Sequence, residues 1–141
     1  MKNKICIIVA DYYPDISKML IRGAYNCLAD AEKNKIIEIY DEIIHVPGIF
    51  EIPVTIAKLI KKFDAFVALG CVIKGETPHF NLITNTVINS IMDLSIKNKK
   101  PIGNGIITCL NKKQAIKRAN PNKKNKGREA ALAVLSTLSN F

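Results

Sequence analysis

Apolar residues in this chain fall into two kinds of run that alternate along its length. Ile5-Cys6-Ile7-Ile8-Val9-Ala10 is apolar without interruption, the pattern of a strand covered on both faces in a parallel sheet. After a turn over Asp11 to Asp15, the residues Ile16, Met19, Leu20, Ala24, Cys27, Leu28 and Ala31 recur at helical spacing. Ile36 to Tyr40 and Ile43 to Val46 predict a second extended segment, irregular around Asp41 and Glu42 and ended by Pro47-Gly48. A helix starts close to there, with Ile52, Ile56, Leu59 and Ile60 as its buried stripe and Lys58, Lys61 and Lys62 facing outward. Ala65 to Cys71 predicts a third strand, and a long helix then carries Phe80, Ile83, Val87, Ile91 and Leu94 on one side. The fourth strand begins near Pro101 and includes Ile106 to Cys109, with Gly103 and Gly105 marking a close backbone approach. A short helix over Lys112 to Ala119, a polar loop over Asn120 to Asn125 and a last helix holding Ala130, Ala131, Val134, Leu135 and Leu138 complete the pattern.

Strands alternating with helices, with no repeat or long linker, predict an α/β fold: a layered sandwich whose four parallel strands carry helices on both faces. At 141 residues and 48% hydrophobic composition, residues 1–141 are expected to form one domain. The apolar run at Ile5 to Ala10 is too short for a signal or membrane span, so a cytoplasmic protein without membrane contact is expected. Cys6, Cys27, Cys71 and Cys109 lie too far apart to spell a zinc knuckle or redox pair and read as buried, reduced thiols. A formal net charge of +9 points to an anionic partner, either a nucleic acid or a phosphorylated small molecule. The basic stretches Lys97 to Lys100 and Lys112 to Arg128 lack the interleaved aromatics on which single strands stack, which makes nucleic acid the weaker alternative.

In open α/β sheets ligands gather at the carboxyl ends of the strands, so the loops after the first three strands are where chemistry is expected. The first, Asp11-Tyr12-Tyr13-Pro14, offers aromatic rings on which a flat heterocycle can stack. The second, Val46-Pro47-Gly48-Ile49-Phe50-Glu51-Ile52-Pro53, sets a rigid turn against a helix start, where free N–H groups and the Glu51 carboxylate can hold hydroxyls. The third, Gly70 to Phe80, joins Lys74, Gly75, Thr77 and His79 at a helix entrance, a combination suited to a phosphate and to proton transfer by an imidazole with an ordinary pKa of ~6.5. Arg118 can clamp a phosphate with two parallel bonds. Each feature alone also fits a purely structural part: tyrosines packing a sheet edge, a first-turn carboxylate, a helix-start histidine, a solvated arginine.

Together the segments resemble the lumazine synthase family from about Lys4 to the C-terminus without a large gap. The blocks that carry the likeness are Val46 to Pro53, Gly70 to Phe80, Gln114-Ala115-Ile116 with Arg118-Ala119, and Asn125-Lys126-Gly127. The resemblance implies a flavodoxin-like three-layer α/β/α sandwich. It also implies a cofactor-free transferase that condenses 5-amino-6-(D-ribitylamino)uracil with 3,4-dihydroxy-2-butanone 4-phosphate to form 6,7-dimethyl-8-ribityllumazine in riboflavin biosynthesis. By the same likeness Tyr12 stacks on the pyrimidine, Ile49, Phe50 and Glu51 surround the ribityl chain, and the backbone of Cys71, Val72 and Ile73 holds the heterocycle. Glu76 and Thr77 match the loop that binds the sugar phosphate, Arg118 its clamp, and His79 the proton-transfer residue. The family's pocket lies between neighbouring subunits of a pentamer, with Asn104, Arg118 and Lys126 expected from the adjacent chain; pentamers stand alone or build larger shells, and riboflavin synthase is a further expected partner. Asn104 stands where many members carry an aromatic, so a polar contact is expected to replace one stacking face. Tyr13 and Asn122 likewise replace a common Asn and Lys. A non-catalytic flavin or lumazine carrier is the alternative within this fold, and the residues Thr77, His79 and Arg118 argue against it.

Overall fold

The computed structural model describes residues 2–75 and 79–139. Its elements are strand β1 (Asn3–Ala10), helix α1 (Pro14–Lys33), strand β2 (Ile39–Val46), a 3-10 turn at Ile49–Glu51, helix α2 (Ile52–Leu59), strand β3 (Ala65–Ile73), helix α3 (His79–Asn98), strand β4 (Ile102–Cys109), and helices α4 (Lys112–Ala119) and α5 (Lys126–Ser139). The four strands form one parallel sheet in the order β2-β1-β3-β4. The order reverses between β1 and β3, which places a topological switch point at their carboxyl ends, as in other flavodoxin-like sheets.

The unbroken apolar run of β1 is explained by two cores. Ile5, Ile7 and Val9 pack with Leu20 of α1, Ala115 of α4 and Ala130 of α5, while Cys6, Ile8 and Ala10 pack on the other face with Ile56 of α2 and Val87 and Ile91 of α3. Side chains alternate across a strand, so a strand with two covers has no polar face to show. The close approach expected at Gly103 and Gly105 is present. A Cβ at Gly103 would sit 2.4 Å from the carbonyl oxygen of Ala130, and one at Gly105 would meet Leu69 at 2.5 Å, so α5 lies directly on β4.

Two details depart from expectation. Asp41 and Glu42 do not interrupt β2: they stand in regular register with Ile5 and Cys6, and the chain from Ile36 to Glu38 lies outside the strand. An edge strand tolerates carboxylates because one side of it meets water; burial beside Glu32 still raises the Asp41 pKa. In α3, Ile83 is exposed and Thr84 is buried, so the inward stripe is Thr84, Val87 and Ile91. All four cysteines are free and buried. No helix among the described residues is long and apolar enough to cross a membrane.

Candidate active site

Local structure at the carboxyl edge begins with Ser17. Its hydroxyl is buried one turn into α1, 2.7 Å from the carbonyl of Ala10 and 3.0 Å from that of Tyr13, and so fastens the start of α1 to the end of β1. Tyr12 and Tyr13 are held between these points, edge to face with centroids 5.0 Å apart. Tyr13 packs against the α1 core, and burial raises the pKa of its hydroxyl. Tyr12 is 73% exposed, an aromatic face on offer at the mouth of the switch point. Asp11 joins this loop to β2 twice: its N–H donates to the carbonyl of Val46 at 2.9 Å, and its carboxylate lies 2.8 Å from Nδ1 of His45.

The second loop is set by its own carboxylate. The N–H of Gly48 donates to Oε1 of Glu51 at 2.9 Å, which closes the turn over Pro47 and aims the half-buried Glu51 side chain. A carboxylate has acceptor capacity beyond one bond, so Glu51 can still take hydroxyl donors from a ligand. Ile49 is buried against the α2–α3 core, whereas Phe50 is largely exposed and lines, with Glu51, Val54, Thr86 and Ser90, a groove of about 400 Å³ between the turn and α3.

At the end of β3, Cys71 is buried and its thiol is pushed up to about 12, first by burial and then by the neighbouring Cys109. A thiol so unwilling to ionise is a packing group and not a nucleophile. What Cys71, Val72 and Ile73 can offer a ligand is backbone. The N–H of Lys74 donates to the carbonyl of Cys109 at 2.8 Å, which ties the start of the third loop to β4. Glu76 and Thr77 lie outside the described residues, and so does the side chain of His79, whose backbone opens α3.

A second cluster forms on the β4 side. Nη1 of Arg118 donates to the carbonyl of Thr108 at 3.0 Å, and Thr108 stands opposite Val72 in the sheet, so the guanidinium is anchored one strand away from the end of β3. Among the described residues, Arg118 and Lys126 share an open groove of about 840 Å³ with Lys117, Lys123, Lys124 and the carboxylate of Glu129. Asn104 is not brought to this groove: it sits four residues before Thr108, about 13 Å along the strand at the usual rise. Its Oδ1 accepts from the N–H of Ile106 at 3.1 Å.

The groove depends on a residue whose weight the sequence pattern did not reveal. Asn125 is 1% exposed in a lysine-rich stretch. Its Nδ2 donates to the carbonyls of Met19 (2.9 Å) and Ala119 (2.7 Å), and its Oδ1 accepts from the N–H of Arg128 at 2.9 Å. One side chain thus ends α4, caps α5 and pins both to α1. The available signal was its place just before Lys126-Gly127 at a helix start, since Asn is a preferred N-cap.

Fold and site together define a flavodoxin-like α/β protein that presents aromatic and carboxylate-bearing loops beside a cationic groove at the carboxyl edge of its sheet. The family model described as 6,7-dimethyl-8-ribityllumazine synthase matches residues 2–141. Proteins of that name from Bartonella tribocorum and Bartonella henselae are 42% and 44% identical to the chain, each alignment covering 98% of it and 89% and 88% of the relatives. One from Cutibacterium acnes is 38% identical, covering 96% of the chain and 80% of the relative. The chain belongs to the 6,7-dimethyl-8-ribityllumazine synthase family.

Proposed function

We propose that this chain makes 6,7-dimethyl-8-ribityllumazine from 5-amino-6-(D-ribitylamino)uracil and 3,4-dihydroxy-2-butanone 4-phosphate, with release of phosphate and water. The observation that carries this reading is the family match over residues 2–141. The chemistry of the carboxyl edge supports the division of labour: Tyr12, Phe50 and Glu51 suit a flat heterocycle with a hydroxylated chain, and Arg118 with Lys126 suits a phosphate.

The amine of the pyrimidine attacks the ketone and water leaves to give an imine. Phosphate departs by elimination, and the second amine closes the ring with loss of water. No bond to the protein is required, so most of the acceleration is assigned to holding two reactants in contact, an effect worth up to about 7–11 kcal/mol in well-oriented systems. His79 is assigned the proton transfers, with Thr77 and Glu76 beside the sugar phosphate, the backbone of Cys71 to Ile73 along the pyrimidine, Ile49 beneath the ribityl chain, and Asn104 as a polar contact to the ring.

Tyr12, Phe50 and Glu51 fall on one side of the edge and Arg118 and Lys126 on the other, and exposed apolar side chains extend along the outer helices: Val54 on α2 and Leu82, Met92 and Ile96 on α3. Patches of this kind mark surfaces that bury against a partner. Both features support a homo-oligomer in which one subunit completes its neighbour's site, here a pentamer or an assembly of pentamers. The proposed setting is cytoplasmic, with riboflavin synthase as the partner that takes the product.

The test is to mix purified protein with the two substrates and follow lumazine absorbance. His79→Ala is expected to slow turnover by about tenfold, below the usual range for a general acid–base because water can substitute in each transfer. Arg118→Ala is expected to raise the sugar-phosphate KM by about a hundredfold. The reverse ranking refutes the residue assignments, and absence of product with wild-type protein refutes the activity.

A further inference from the structure

A sugar monophosphate carries a charge of only about −1.5 to −2 at neutral pH. The groove that holds Arg118 and Lys126 is more strongly charged than such a ligand needs. Among the described residues, Lys117, Lys123 and Lys124 line it as well, against the carboxylate of Glu129, which lies 3.9 Å from Lys126 Nζ and offsets that lysine. Lys117, Arg118, Lys123 and Lys124 are all exposed at its walls. With a monoester on Arg118 and the Glu76 carboxylate assigned beside it, about one cation still stays unneutralised inside the concavity, where a further anion is favoured. The volume of about 840 Å³ is that of a site for a drug-sized ligand and leaves room beyond a four-carbon sugar phosphate.

We infer that the groove between α4 and α5 is a binding site for an anion bearing several phosphates, of the nucleoside triphosphate or inorganic polyphosphate class, held by Lys117, Lys123 and Lys124 together with Arg118. Such a ligand occupies the position assigned to the sugar phosphate and therefore restrains turnover when it is abundant. The restraint rests on the assignment of Arg118 as the substrate's phosphate clamp; the binding does not.

Calorimetry on the assembled protein, with inorganic phosphate and tripolyphosphate as probes at equal ionic strength, tests the inference. Tripolyphosphate is expected to bind about tenfold tighter than phosphate, with a steeper loss of affinity as salt rises. The variant Lys117→Gln/Lys123→Gln/Lys124→Gln is expected to lose that preference, and Lys124→Gln alone to lose part of it. Lys58→Gln/Lys61→Gln/Lys62→Gln removes the same charge from exposed positions on and after α2 and is expected to keep the preference. Equal affinity for the two anions, a preference untouched by the groove substitutions, or equal loss in the α2 variant overturns the site. ATP in parallel separates the sources: affinity equal to tripolyphosphate supports recognition of the phosphates alone, and tighter binding supports a nucleotide. In turnover assays tripolyphosphate is expected to compete with the sugar phosphate. Groove-dependent binding without competition keeps the polyanion site and overturns the Arg118 assignment instead.

Discussion

The two sides of the carboxyl edge differ in how they are built as well as in what they present. The rim after β1 and β2 is aromatic, and its anchors are separate bonds at the strand ends: Ser17 to Ala10, Gly48 to Glu51, and Asp11 across to Val46 and His45. The groove beside β4 is cationic, and its walls converge on Asn125, which joins chain segments 106 residues apart. The difference shows where each side is vulnerable. The rim is a set of local fittings on strand ends, whereas the groove exists only while three helices meet at one amide.

The largest effect is therefore expected away from any ligand. Asn125→Ala leaves the carbonyls of Met19 and Ala119 and the N–H of Arg128 without their partner. At about 1–3 kcal/mol for an unsatisfied buried group, less what water recovers, the loss should be about 3 kcal/mol in urea unfolding. Gly127→Ala should cost a similar amount, because its Cβ would fall 2.2 Å from the backbone oxygen of Leu20. If both variants unfold within about 0.5 kcal/mol of wild type, the level of ordinary surface changes, the groove does not depend on this junction.

The next effect separates the two sides by substrate. Arg118→Ala is expected to act on the KM of the sugar phosphate and to leave that of the pyrimidine within a few-fold. Tyr12→Ala should do the opposite, raising the pyrimidine KM by about tenfold, the scale of a lost aromatic stack. Its exposure of 73% means that stability should hardly change. Steady-state kinetics with one substrate varied at a time gives the answer; a Tyr12 variant that loses both substrates equally shows that the loop does more than stack.

How much of this was legible in the sequence follows the same division. The strands and most helices declared themselves because burial dictates period: two covered faces make β1 and β3 continuously apolar, and one covered face makes α1 and α5 repeat at helical spacing. β2 was blurred because an edge strand mixes Asp41 and Glu42 with apolar residues, and Ile83 was misplaced because α3 is apolar on more than one side. Tyr12, Glu51, Cys71 and Arg118 could be named from loops and motifs. Ser17 and Asn125 could not be weighed, since a buried polar residue and a solvated one look alike until the carbonyls they satisfy are brought near by the fold.

The smallest effect concerns an ion pair that spans the two sides. Asp15 follows the Tyr12-Tyr13 loop, and Lys112 opens the helix that carries Arg118; their charged atoms lie 3.1 Å apart with both side chains more than half exposed. The Lys112 ammonium, through its hydrogen bond and its charge, holds the Asp15 carboxyl below the ordinary carboxylate value. A carboxyl whose folded pKa is depressed adds stability above its unfolded value and loses it as pH falls through the folded one. Lys112→Ala should thus lower the unfolding midpoint slightly at pH 7 and not at all in strong acid, where Asp15 is protonated in both states. Because exposed pairs are screened, raising salt should erase the difference at pH 7 as well. Carbon-detected NMR titration should show the Asp15 carboxyl moving up toward its ordinary pKa in the variant. If it does not move, the contact does not persist in solution, and the rim and the groove are joined without it, through core packing and the Asn125 bond to Met19.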